Sequence, residues 1–249
     1  MLKKSAKQSL KGNWTIAIGA MLLTTAISFV ANMPHFIWDF WVLYSPSSDP
    51  AGIITWLLFL VCHILIVPLT IGLTWFYLNI YDGTELQLKQ IFDGFKQFKK
   101  VIGINIMTFI FTVLWSLLFI IPGIIKGISY SQASFILKDN PEIGVLDAIS
   151  QSKHMMEGYK GKYFLLGLSF IGWYIVIPFA FLLIVFTAVI SIPAMLILFL
   201  VFCLYLIGIS VYLTPYINTS LAAFYRQLTK DSFTTNNDFL KEEYDTINM

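Results

Sequence analysis

Three kinds of residue in this chain could carry chemistry inside an apolar setting: one lysine, one histidine and a short run of hydroxyl and amide side chains. Lys126 lies in the stretch Ile124 to Leu137, surrounded by apolar residues. An ammonium inside hydrocarbon must pair or reach water, and such groups often serve a transport or relay step. Near a helix end a lysine can instead extend its stem and lay its charge at the interface. Both readings stay open. His63 stands near the middle of another apolar run, five residues before Pro68. Its imidazole could relay protons, or satisfy itself against a neighbouring carbonyl or hydroxyl. Ser129, Tyr130, Ser131, Gln132 and Ser134 follow Lys126. Lipid offers such groups no partners, so they are expected to face the interior of a bundle. Lys126, Tyr130, Gln132, Ser134 and His63 are therefore the candidate lining of a polar cavity, with ordinary interhelical packing as the other reading.

Other constellations lead nowhere. Asp139, Glu142, Asp147 and Glu157 gather in one segment with His154, but their spacing matches no metalloenzyme motif. Alternating charges on a surface helix account for them. Cys62 and Cys203 both sit in apolar runs and read as small packing residues, with no metal-site or disulfide spacing. There is no Gly-rich phosphate loop and no nucleophile elbow. No catalytic residue, metal or cofactor is expected, and the chain is read as no enzyme. The net charge is only +2. The basic residues are not gathered with aromatics on a polar face, so nucleic acid is not an expected partner.

The elements that must hold these residues follow from composition. Hydrophobic residues make up 57% of the 249 positions and charged residues only 12%, against roughly 25% charged in soluble domains. Mean hydropathy is +0.76. Such a chain cannot build a polar shell, and its solvent is lipid. In lipid every backbone N–H and C=O must be bonded internally, which leaves helices or a closed barrel. A barrel needs alternating segments of about ten residues. The apolar runs here are continuous and long, so the fold class is all-α: a polytopic transmembrane helical bundle.

A bilayer core needs about 20 apolar residues per helix. The expected spans are Trp14 to Met33, Ile53 to Ile80 with a kink at Pro68, Val101 to Ile121 ending at Pro122-Gly123, Ile124 to Leu137, Tyr163 to Ile184, and Pro193 to Leu213. The first run follows Lys3, Lys4, Lys7 and Lys11 and imitates a signal peptide. It is too long and lacks a small-x-small site, so it is read as an uncleaved span. Between spans one and two lie Pro34, Pro46 and Pro50, with Trp38, Trp41 and Tyr44 as interfacial anchors. After Asp82, the pattern Thr84-Glu85-Leu86-Gln87 reads as a capping box. Leu88, Ile91, Phe92, Phe95 and Phe98 then read as an amphipathic helix in the interface, with Lys89, Lys96, Lys99 and Lys100 beside them. Asn140-Pro141-Glu142 reads as the start of a second one, carrying Ile143, Leu146, Ile149 and Met156 to Gly158. Residues 229–249 read as a loosely held polar tail.

Charge decides whether Ile124 to Leu137 crosses. If it does, fifteen of the 16 basic residues share one side, and Lys126 alone lies near the other. If it does not, Lys138 to Lys162 falls on the opposite side and the asymmetry collapses. The positive-inside rule then favours six spans with both ends in the cytoplasm, N-in and C-in. Three times a basic amphipathic segment reaches a glycine and feeds a span: Leu10-Lys11-Gly12, Phe92-Asp93-Gly94 and Met156-Glu157-Gly158. Residues 1–228 are thus one six-span domain, open to division into two-span hairpins over 1–80, 84–138 and 141–228. Repeated units in membrane proteins often surround a central site.

Several stretches resemble a bacterial membrane family known as domain-of-unknown-function family 975. They are Ser5-Ala6-Lys7-Gln8-Ser9-Leu10-Lys11-Gly12-Asn13-Trp14, Ile121-Pro122-Gly123-Ile124-Ile125-Lys126, and Tyr130-Ser131-Gln132-Ala133 with Asp139-Asn140-Pro141-Glu142. Ala148-Ile149-Ser150-Gln151-Ser152 through Met156-Glu157-Gly158-Tyr159-Lys160-Gly161 is the strongest, and it runs on into Phe170-Ile171-Gly172-Trp173. Pro215-Tyr216 and Ala222-Ala223-Phe224-Tyr225 complete the set. The resemblance implies a multi-span plasma-membrane protein, mostly of Gram-positive bacteria. It implies no established activity, so no catalytic residue carries over. The family is also distantly similar to the membrane domain of some glycerophosphodiester phosphodiesterases, whose catalytic carboxylate and histidine pattern is absent here. The expected role is transporter-like or lipid-interacting, with the bilayer and its anionic lipids as partners. The alternative is a scaffold or accessory subunit that takes a membrane protein partner through the amphipathic helices.

Overall fold

The computed structural model describes residues 2–44 and 51–247; Pro46 and Pro50, and the side chains of Trp41 and Tyr44, lie outside what is described. Within it the chain is helical, with no strand among the described residues. Six segments are long and apolar enough to cross a membrane: Trp14–Phe40, Ile53–Asp82, Phe98–Leu118, Ile120–Asp139, Lys160–Ile190 and Ile192–Ser232. The reason is the one the composition dictates, since only continued helix satisfies backbone polar groups in hydrocarbon.

That constraint also moves several boundaries. Helix α1 covers Leu2–Leu10 and α2 covers Trp14–Tyr44. The first span does not stop at Met33, and Pro34 lies inside α2. A proline removes one N–H from the ladder. Leaving the aromatic run after it unpaired in lipid would cost more. Helix α3, Ala51–Asp82, runs through Pro68.

The segment after α3 is not one amphipathic helix. It is a 3-10 turn over Leu88–Phe92, a single helical turn α4 over Asp93–Lys96, and then α5 over Phe98–Leu118. Ile91 is fully buried, while Leu88, Phe92 and Phe95 face outward. The expected capping box at Thr84 does not form either. The Gln87 N–H donates to Gln90 Oε1 at 3.4 Å, and Gln90 Nε2 donates to the Glu85 carbonyl at 2.9 Å. Glycine explains the docking of this segment. A Cβ on Gly72 would lie 1.9 Å from the Ile91 carbonyl oxygen, and one on Gly94 would lie 2.0 Å from that of Pro68. Backbone meets backbone here, and no side chain fits between.

Further along, α5 ends at Phe119, which is extended. Pro122 then falls in the first turn of α6, Ile120–Tyr130, where its missing N–H has no partner to lose. A break at Ser131-Gln132 leads to α7, Ala133–Asp139. The next helix, α8, starts at Val145 behind an extended Gly144, not at Asn140-Pro141, and runs to Met155. Its buried residues Ala148, Ile149 and Ser152 face α5, α6 and α7. The fifth span is two helices, α9 (Lys160–Ile171) and α10 (Val176–Ile190). At the turn between them the Tyr205 hydroxyl donates to the Trp173 carbonyl at 2.7 Å. The last helix, α11, runs unbroken over Ile192–Ile247, so the polar tail is helical too.

Two of the three glycine junctions are alike in detail. Gly12 and Gly158 both have positive φ, +92° and +78°. In each, the residue before the glycine donates its N–H three residues back, Lys11 to Gln8 and Glu157 to His154. The residue after does the same, Asn13 to Leu10 and Tyr159 to Met156. Leu10 and Met156, two before each glycine, are fully buried. Gly94 has no such geometry, because its role is the close approach to α3. Around the bundle, α1 packs on α11, the 3-10 turn and α4 pack on α3, and α8 packs on α5 to α7.

The buried core occupies one end of the molecule. It runs over Leu69 to Ile80, Tyr130 to Leu137 and Leu213 to Leu228. The far halves of the helices carry their side chains outward, with Leu117 78% and Val189 86% exposed. Replacing Gly72 by Ala is expected to cost about 1–3 kcal/mol through overpacking. Gly167→Ala, with nothing near its Cβ, should stay within about 0.5 kcal/mol of the parent. Thermal unfolding in detergent reads both.

Candidate functional site

The candidate cavity residues do not form one cluster. His63 is exposed on α3, with Nδ1 3.2 Å from the Phe59 carbonyl and its ring 4.0 Å from the Phe59 ring. It belongs with His35, which packs on Phe59 and Trp56 and pairs with Asp39 at 2.9 Å. Lys126 lies over the face of Trp115 at 4.4 Å, a cation–π contact between α6 and α5. Tyr130 is buried beside Phe111. The Ser134 carbonyl accepts the Trp75 indole N–H at 2.8 Å.

Gln132 is buried at the break between α6 and α7. There the Ser152 hydroxyl of α8 does two jobs. It accepts the Gln132 N–H at 3.1 Å and donates to the Ser129 carbonyl at 2.8 Å. One buried hydroxyl thus satisfies a donor and an acceptor that the break exposes. The Gln132 amide donates to Ser131 Oγ at 2.7 Å, while its Oε1 has no partner.

The polar groups that meet along one line are on α5. Asn105, Thr108, Thr112 and Ser116 fall at helical spacing on a single face. Small residues of α6 lie against them. A Cβ on Gly123 would stand 1.9 Å from Ser116 Oγ, and one on Gly127 would stand 3.6 Å from Thr112 Cγ2. Two open grooves flank this seam. One, about 440 Å³, is lined by Asn105, Thr108, Thr112, Tyr130, Ser131 and Ser134 among others. The other, about 430 Å³, is lined by Thr112, Ser116, Gly123, Gly127, Ser131 and Tyr163 among others. Thr108 Oγ1 is buried without a partner. Of the expected interior-facing residues, Tyr130, Ser131 and Ser134 line these grooves, and Lys126, Gln132 and His63 do not. The α5 stripe was readable as polar residues at positions i, i+3, i+7 and i+11 inside an apolar span.

The strongest electrostatic feature lies at the other end of α7. Arg226, the single arginine of the chain, donates to both oxygens of Asp82 at 2.8 and 2.6 Å. The same guanidinium donates to both oxygens of Asp139, through NH1 to Oδ2 and through NH2 to Oδ1. Asp82 ends α3, Asp139 ends α7 and Arg226 lies within α11. Tyr225, stacked on Phe135 at 5.1 Å, donates its hydroxyl to Asp139 at 2.7 Å. Lys138 donates to the Trp75 carbonyl at 2.6 Å and to Asn79 Oδ1 at 2.5 Å. The planar fork of arginine suits two carboxylates at once, which a lysine could not do. Nearby, Lys3 of α1 donates to the Ser169 carbonyl at 3.1 Å and covers the Phe170 ring. Its burial there pulls its pKa below the ordinary lysine value.

Removing the guanidinium leaves two carboxylates facing each other. Arg226→Ala is expected to cost about 2–4 kcal/mol, discounted for the partial exposure of the cluster. Adding Asp82→Asn and Asp139→Asn should recover part of that loss, since the three side chains act as one unit. Thermal unfolding of the single and triple variants in detergent checks it.

No group of His, Cys, Asp and Glu suited to a metal ion occurs among the described residues. Comparison with curated proteins and with solved structures gives no match, so the distant likeness to the glycerophosphodiester phosphodiesterase membrane domain finds no support. One family matches, described as "Protein of unknown function (DUF975)", over residues 119–232. That stretch holds the α6–α7 break, the Ser152 bridge, Asp139 and Arg226, and over it the chain is similar to that family.

Proposed function

We propose that this is a non-enzymatic six-span membrane protein, with both ends in the cytoplasm, that binds an amphiphilic molecule of the bilayer along the seam between α5 and α6–α7. The observation that carries this reading is the pair of open grooves beside Thr112, apolar for the most part with hydroxyl and amide side chains among their lining. Hydroxyls in hydrocarbon usually close onto another helix or their own backbone. Ser116 Oγ does so, donating to the Thr112 carbonyl at 2.8 Å. Thr108 Oγ1 does not, and a ligand hydroxyl or ester would satisfy it. Lipid-interacting and transporter-like roles both begin with such a site. The cytoplasmic placement of the ends draws on the Lys and Arg excess at the end where α3, α7 and α11 meet.

The competing reading is a scaffold that binds a protein partner through its amphipathic helices. It has less to draw on. The buried faces of α1 (Ala6, Leu10) and α8 (Ala148, Ile149, Ser152) are already turned onto the molecule's own helices. A stoichiometric partner that co-purifies in mild detergent would restore it.

The seam is tested with a photoactivatable lipid carrying its reactive group near the glycerol. Cross-links are expected to concentrate in residues 105–116 and 123–134. The near-isosteric pair Thr108→Val and Thr112→Val should lower that yield at least about fivefold, the worth of roughly one hydrogen bond, with the melting temperature unchanged. An even spread of cross-links over all the apolar helices, α10 included, would overturn the proposal.

A further inference from the structure

A third cavity, about 490 Å³, lies at the start of α5 and combines a basic rim with one carboxylate in its wall. Lys96, Lys99 and Lys100 line it together with Phe95, and Glu142 lines it from beyond α7. The lysines have different tasks. Lys100 Nζ donates to the Pro141 carbonyl at 2.5 Å and so ties the two walls together. Lys96 pairs with Asp93 at 2.7 Å, yet its side chain stays 78% exposed. Lys99 is exposed as well. Phe95 lines the cavity and Phe92 lies next to it, their rings 6.3 Å apart, and both point large apolar side chains outward. Bare apolar groups next to ammonium groups mark the level at which acyl chains meet headgroups.

We infer that this cavity is a headgroup site for an anionic glycerophospholipid whose headgroup carries free hydroxyls, of the phosphatidylglycerol type. Lys96 and Lys99 hold the phosphodiester as point charges. The Glu142 carboxylate accepts from the headgroup hydroxyls, and Phe92 and Phe95 lie along the acyl chains. A carboxylate in the wall disfavours a second negative charge, so the more highly charged phosphatidic acid is the poorer ligand. The site shares α5 with the seam but no lining residue, and it stands whether or not the seam binds anything.

The test is native mass spectrometry of the full chain in mild detergent, titrated separately with phosphatidylglycerol, phosphatidic acid and phosphatidylethanolamine. Wild type is expected to hold phosphatidylglycerol most tightly. Lys96→Gln with Lys99→Gln should weaken it by about fivefold per lysine, with the melting temperature retained. Glu142→Ala should erase the preference for phosphatidylglycerol over phosphatidic acid. Lys4→Gln with Lys7→Gln removes the same charge from α1 and should leave binding within about twofold. Equal losses in the two double variants would mean a general surface field and overturn the site. Unchanged binding in Lys96→Gln with Lys99→Gln, or no preference among the three lipids in wild type, would overturn it equally.

Discussion

One guanidinium joins three spans. Arg226 of α11 holds the carboxylate that ends α3 and the carboxylate that ends α7, with Tyr225 bonded to the second. Two carboxylates this close repel unless a cation lies between them. The arginine turns that repulsion into a requirement that the ends of α3 and α7 arrive together beside the middle of α11. Charge clusters of this kind add little net stability compared with a well-packed apolar cluster, and are strongly unfavourable when half made. The cluster therefore acts on arrangement, since any packing of the helices that separates Asp82, Asp139 and Arg226 leaves charge uncompensated. The buried core forms three apolar clusters, drawn from α1–α3 with Ile91, from α3 with α5–α8 and α11, and from Met156 with α9 and α11.

A bundle held at one end leaves its other half to lipid. No residue of α10 is buried inside the protein. In that half close approach helps bring helices together, and close approach needs small residues. Gly123 and Gly127 of α6 supply it against Ser116 and Thr112 of α5. The polar seam follows from the same geometry. Small residues draw α6 in, the hydroxyls of α5 face the join, and open grooves remain on both sides, bordered by Ile71 of α3 and by Tyr163 of α9.

Much of this was legible in the residues. Six spans follow from run length and from the solvent that composition demands. A crossing of Ile124 to Leu137 was expected from charge, and the structure has there an apolar segment, Ile120–Asp139, that is long enough to cross and is broken at Ser131-Gln132. The site was less legible. Lys126 and His63 drew notice because each is a titratable group in an apolar run, yet one lies on an indole ring and the other on the outer surface of α3. Asp82, Asp139 and Arg226 are separated by 57 and 87 positions and read as ordinary charges flanking spans. Only tertiary convergence reveals them as partners. The amphipathic patterns misled for a related reason. Periodicity shows that a segment has an apolar face but not what covers it. In α8 and in the segment around Ile91 the cover is protein, reached in the second case through Gly72 and Gly94.

The most direct test of the convergence at Arg226 is thiol labelling in intact cells. Cys62 and Cys203 are removed, single cysteines are placed at Asn140, Gln227 and Ser191, and a membrane-impermeant reagent is applied from outside. If the ends of α3 and α7 meet Arg226 of α11 on the cytoplasmic side, Ser191 is labelled while Asn140 and Gln227 stay protected until the membrane is permeabilised. Labelling of Asn140 from outside, with Gln227 still protected, would put Asp139 and Arg226 on opposite sides of the membrane and contradict the account.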